Sequence, residues 1–105
     1  MEEYKVKEEA SPIGDGTQKV YRFPNGYGAS VVRFTVFVPF AGVMSGSYGS
    51  LEGKWELALI KFNDADDDSF VLVYDHGYDD VIGDLTDEEV ESHLAQIKGI
   101  EVAHG

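Results

Sequence analysis

Residues 29–38 (ASVVRFTVFV) commit this chain to a sheet, because a run this dense in β-branched and aromatic side chains packs well on a pleated surface and poorly on a helix. Its alternation sets Val32, Phe34, Val36 and Val38 on one side and Arg33 and Thr35 on the other, so the valine side is expected to face inward. Pro39 ends the run. Upstream, residues 18–23 (QKVYRF) alternate in the same way and stop at Pro24. Asn25-Gly26 follows at once, the dipeptide best suited to a tight reversal, with Tyr27-Gly28 able to lengthen it. These two strands predict one hairpin. Residues 54–62 (KWELALIKF) and 69–75 (SFVLVYD), joined by the polar turn NDADDD, predict a second.

A helix is expected to follow. Thr86-Asp87-Glu88-Glu89 has the spacing of a capping box, in which the threonine hydroxyl and the glutamate carboxylate each take an otherwise unpaired backbone N–H. Val90, Leu94 and Ile97 then form a single apolar stripe, Glu88, Glu91 and Ser92 turn outward, and Lys98-Gly99 supplies a cation and a stop. The expected fold is therefore α+β: a four-stranded antiparallel sheet made of two hairpins and covered by one C-terminal helix. With 105 residues there is material for one core, placed in a single domain over residues 18–99. Residues 1–17 read as a flexible N-terminal arm and 100–105 as a tail. Residues 40–53 (FAGVMSGSYGSLEG) are too rich in glycine and serine for regular pairing, so a long loop is expected there. Phe40, Val43, Met44 and Tyr48 on that loop form either an apolar contact surface or a cover folded back over a sheet edge. Residues 76–83 (HGYDDVIG) read as a second loop, anchored by Val81-Ile82.

The charge is strongly one-sided. Eight Lys and Arg stand against twenty Asp and Glu, a formal net charge of −12. Residues 62–97 contain twelve of those acids and no base, so the whole excess belongs to one contiguous third of the chain. Such a balance argues against binding bare nucleic acid or an anionic membrane. It serves solubility, or it is kept for a basic partner. The absence of cysteine excludes disulfides, thiolate metal sites and cysteine nucleophiles, and fits a reducing cytoplasm. No apolar run approaches the length of a membrane-spanning helix and the N-terminus lacks a signal-like core, so a cytoplasmic protein is expected.

Catalytic and cofactor motifs fail on their details. Gly53-Lys54 is followed by Trp55 and preceded by Tyr48 where a phosphate-binding loop needs its first glycine. Gly26-Tyr27-Gly28 leads into a strand rather than a helix, which is turn chemistry and not a dinucleotide fingerprint. His76, His93 and His104 share no metal-ligand spacing. Asp64, Asp66 and Asp68 alternate as in a calcium loop with Asp75 at the twelfth place, yet Ser69 replaces the turn glycine and strands flank it. A weak cation site there is the alternative to a solvated hairpin tip. No nucleophile, base and oxyanion donor are grouped, so neither an enzyme nor a cofactor is expected.

The pieces FPNGYGASVV, YGSLEGKWELALIKF, LVYD and DDVIGDLTDEEV, in that order, resemble small uncharacterised acidic proteins encoded by bacteriophages and prophages. The run 34–43 and the DADDD tip depart from that pattern. The resemblance implies a phage source. Phage genomes also encode compact acidic proteins that block host defence or DNA-handling proteins, some of them anti-CRISPR proteins, and a non-enzymatic inhibitor of that kind is the expected function. Carboxylates on a rigid surface can imitate duplex phosphates, which succeed one another at about 1.7 Å of axis per charge. The expected contact residues are Asp64, Asp66, Asp67 and Asp68 at the hairpin tip, Asp79, Asp80 and Asp84 in the following loop, and Asp87, Glu88 and Glu91 on the helix. Their partner would be a basic, nucleic-acid-binding host protein such as a CRISPR effector or nuclease. A divalent-cation module using residues 64–75, or a small homo-oligomeric interaction domain such as a homodimer, are the alternatives.

Overall fold

In the computed structural model, residues 2–10, 15–46, 53–64, 67–74, 76–78 and 81–100 are described, with the backbone alone at Asp15, Ser45, Asp64, Asp67 and Asp68. A single 3-10 turn, Glu2–Tyr4, leads into strand β1 (Lys5–Ala10). Then come β2 (Asp15–Arg22), β3 (Tyr27–Val38), β4 (Gly42–Ser45), β5 (Trp55–Asp64), β6 (Asp67–Leu72), β7 (Ile82–Leu85) and helix α1 (Asp87–Lys98). The class is α+β as expected, an antiparallel sheet with a C-terminal helix, but among the described residues the sheet has seven strands and not four. Its main path runs β1-β2-β3-β5-β6. Two long strands make room for the rest. β3 pairs with β5 through Tyr27 to Val32 and with β4 through Thr35 to Val38, while β5 pairs with β6 near one end and with β7 near the other.

The three additional strands lie where the sequence has no strand-like pattern. β1 (KVKEEA) is an edge strand, and charged side chains are what an exposed edge carries, so its composition imitates that of a disordered arm. Ion pairs hold it: Lys19 Nζ lies 3.7 Å from Glu8, and Lys5 Nζ lies 2.8 Å from Glu2. Tyr4 packs edge-on to Phe23, ring centroids 5.3 Å apart, with Lys98 Nζ 4.9 Å above the Tyr4 ring. β4 and β7 have four residues each and owe their conformation to the neighbour they pair with. The expected tail beyond Ile100 lies outside the described residues.

α1 forms as its sequence dictates. Thr86 Oγ1 accepts from Glu89 N–H at 3.2 Å, and Glu89 Oε1 accepts from Thr86 N–H at 3.1 Å. Val90, Leu94 and Ile97 are buried against Ala29, Val31, Leu57 and Leu59 of the sheet. The face of β3 under the helix is thus the odd one, whereas Val32, Phe34 and Val36 are half-buried on the opposite side. This reverses the expected inward face. β3 is apolar on both sides of its pleat, and its alternation alone does not say which side the helix takes. The opposite side has its own small core of Val20, Ile60 and Phe62, with Phe70 against it and the Arg22 guanidinium 4.5 Å from the Phe62 ring centre. Gly28 permits that packing: a Cβ there would run into the Tyr21 carbonyl oxygen and stand 2.8 Å from Phe62 Cε2.

The β2–β3 turn is tighter in function than in length. Gly26 N–H donates to the Phe23 carbonyl at 3.0 Å, and Gly26 has φ +85°, which suits glycine. Asn25 Oδ1 accepts from Tyr27 N–H at 3.0 Å. Its Nδ2 lies 2.9, 3.2 and 3.0 Å from the carbonyl oxygens of Ile97, Lys98 and Ile100. The turn therefore caps the helix C-terminus, where carbonyls lack intrahelical donors. Gly99 does not take the left-handed conformation of a glycine stop; its φ is −82°.

Candidate functional site

The acidic third of the chain was the candidate surface. Of its ten expected contact residues, Asp84, Asp87, Glu88 and Glu91 have described side chains, and β7 and the first half of α1 bring them to one end of the helix layer. Asp66, Asp79 and Asp80 lie outside the described residues, as do Asp75 and Tyr48, and the side chains of Asp64, Asp67 and Asp68 are not described.

The four acids play different parts. Asp87 sits in the first helical turn, and its Oδ1 accepts from Trp55 Nε1 at 2.7 Å. Trp55 is buried, and its ring carries Lys19 Nζ at 4.7 Å and the Arg33 guanidinium carbon at 4.2 Å from the ring centre. Arg33 is held in place by a 3.0 Å bond from Nη1 to the Gly53 carbonyl. Asp87 thus ties the helix to β5 beside two cations, which reduces its reach toward an outside partner. Asp84 takes φ +61°, a conformation that a short polar side chain tolerates, and lies 3.5 Å from Lys54 Nζ. Glu88 and Glu91 are exposed on the outer face at the i, i+3 spacing that makes side chains neighbours. Glu89 is drawn into the capping box; the hydrogen bond from the Thr86 backbone, seconded by the Thr86 side chain, holds its carboxyl below the usual range.

The basic residues sharpen this arrangement. Each of the eight Lys and Arg side chains is engaged with the body of the protein. Lys5, Lys7, Lys19 and Lys54 pair with carboxylates, while Arg22, Arg33, Lys61 and Lys98 lie over aromatic rings. The cations are committed to local partners, and among the described acids Glu88 and Glu91 lie exposed on the outer face of the helix.

For the calcium-like spacing, the described backbone runs the other way from a chelating loop. Asp64 pairs with Asp67 at the tip of the β5–β6 hairpin, and residues 67–72 continue as an extended strand. A twelve-residue cation loop wraps its ligands around the ion instead. Among the described residues no group of three or more His, Asp or Glu side chains is placed to hold a metal. His93 Nδ1 stands 3.0 Å from the Tyr78 hydroxyl and His76 Nε2 stands 3.3 Å from the Tyr27 hydroxyl, so each imidazole is a partner of a tyrosine.

Of the apolar set, Phe40, Val43 and Met44 are exposed, on and beside β4. The expected loop is in this part a hairpin, since Phe37 pairs with Val43 and Val36 with Met44. Sequence reasoning had passed over Asn25 as a donor and Trp55 as an anchor. Their partners lie 72 and 32 residues away, and no local pattern announces either contact. No protein family matches the chain, and comparisons with curated proteins and with solved structures likewise give no match.

Proposed function

We propose that this chain is a non-enzymatic binding protein that docks its acidic helix end against the basic, nucleic-acid-binding surface of a host protein and thereby inhibits it. The observation that carries the reading is the division of charge just described. Glu88 and Glu91 lie exposed on a rigid helix, with Asp84 on the strand before it, in the third of the chain that carries the whole acidic excess. Carboxylates three residues apart on a helix rise by about 4.5 Å, of the same order as the roughly 3.4 Å of axis per phosphate on one DNA strand. A cationic groove shaped for phosphates meets a similar spacing here. The phage-type resemblance of the sequence points the same way, toward the cytoplasm of a host cell. Among the described residues no helix is long and apolar enough to cross a membrane.

Glu88→Gln with Glu91→Gln tests the reading, because both side chains are exposed and the changes leave the capping box and the core intact. Capture of nucleic-acid-binding proteins from host lysate is expected to weaken with this pair and with rising salt, and duplex DNA is expected to compete. Capture that is indifferent to all three would defeat the proposal.

A further inference from the structure

The end of the sheet opposite in character to the acidic surface is the β3–β4 hairpin. β2 follows β3 only as far as Thr35, so beyond that point β3 and β4 form, among the described residues, a two-stranded arm. Residues 34–51 contain no charged side chain, in a protein of net charge −12. The arm exposes Phe37, Val38, Phe40, Val43 and Met44, and Phe40 at its tip is fully exposed with φ +69°, a left-handed conformation that costs energy for a bulky residue. A two-stranded hairpin is marginal by itself in water, and an uncharged apolar edge is the kind that seeks another strand.

We infer that this arm joins two copies of the chain, β4 pairing with β4 of a second copy about a two-fold axis at Val43. The register follows from the ladder. Gly46 N–H donates to the Phe34 carbonyl at 3.1 Å, so with antiparallel alternation the backbone groups of Gly42, Met44 and Gly46 point at β3, and those of Val43 and Ser45 point outward. Two outward edges related by a two-fold axis then exchange both hydrogen bonds between Val43 and its symmetry mate, and Gly42 falls opposite Met44. Phe37 shares the Val43 side of the sheet, so the two copies lay a continuous apolar strip across the junction.

Charge selects the occupant. Two copies of net charge −12 repel one another, whereas the arm offers contact with no charge on either side. Size agrees. From the exposed fractions of the five side chains, and aromatic side chains that cover 150–250 Å² each, about 600 Å² of each copy is available. About 1,200 Å² in the pair is the ceiling on what the contact can bury, at the lower end of specific interfaces.

Sedimentation equilibrium of the full chain tests this. The wild type is expected at twice 11.6 kDa, with an association that holds or strengthens as salt rises. Val43→Pro removes an outward N–H without touching the ladder to β3, and Val43→Lys places like charges at the axis; both are expected to give monomers with unchanged far-ultraviolet circular dichroism. A wild type that stays monomeric at about 100 μM, a dimer that survives both substitutions, or a monomer whose arm instead binds phosphatidylcholine vesicles would overturn the inference. The salt response separates it from the acidic surface, whose contacts weaken with salt.

Discussion

Asn25 joins the β2–β3 turn to the end of α1, and its removal should loosen the helix from the sheet. The amide has two hydrogens to share among the carbonyls of Ile97, Lys98 and Ile100, and its oxygen takes the Tyr27 N–H. At a net value of about 1 kcal/mol per hydrogen bond, with water replacing part of the loss, Asn25→Ala should cost about 1–3 kcal/mol. For a domain of this size that is roughly 5–15 °C in melting temperature. Asn25→Asp separates hydrogen bonding from packing. The shape is kept and the Tyr27 N–H still has its acceptor, but an ionised carboxylate cannot donate and faces the negative end of the helix dipole. Near neutral pH it should therefore be at least as unstable as Asn25→Ala. Those carbonyls disfavour the charged form, so the folded-state pKa of the new Asp should rise, and the deficit should shrink as pH falls through it. Thermal melts read by circular dichroism at about pH 7 and pH 4 make the comparison. An Asn25→Asp protein as stable as the wild type at neutral pH would show that these donors do not hold the helix end.

Asp87→Ala should destabilise the fold by about 1–3 kcal/mol, since it strands the buried Trp55 N–H, whereas Glu88→Ala one position on should change stability by less than about 0.5 kcal/mol; denaturant unfolding separates the two. Leu94→Ala, at a fully buried position under the sheet, should cost about 2–5 kcal/mol by the same assay. The Glu89 carboxyl is held below its usual 4.5, so its contribution is present above that value and is lost as pH falls through the lowered one. Glu89→Gln should accordingly flatten the fall of melting temperature on acidification, measured as a difference from the wild type.

The sequence was most legible where the determinants are local. The capping box spans four residues and the stripe of Val90, Leu94 and Ile97 spans two turns, so the helix, its start and its buried face could be read directly. β3 could be recognised as a strand, but not which of its faces the helix covers, because both are apolar. β1 and β4 were hidden for opposite reasons. A charged edge strand has the composition of a disordered arm, and a four-residue strand containing glycine has no pattern of its own. The acids were legible as an excess and not as individuals. Nothing in the spacing distinguishes Asp87, which meets a tryptophan 32 residues away, from Glu88, which faces solvent.

The account depends most on an exposed negative field that a phosphate-binding groove accepts. The most direct measurement is capture from host lysate by the immobilised wild-type chain, repeated at about 50 and 200 mM salt with and without duplex DNA as competitor. The account predicts a basic, nucleic-acid-binding protein that is lost at the higher salt and displaced by DNA. A retained partner that is acidic, or one that neither salt nor DNA removes, would contradict it.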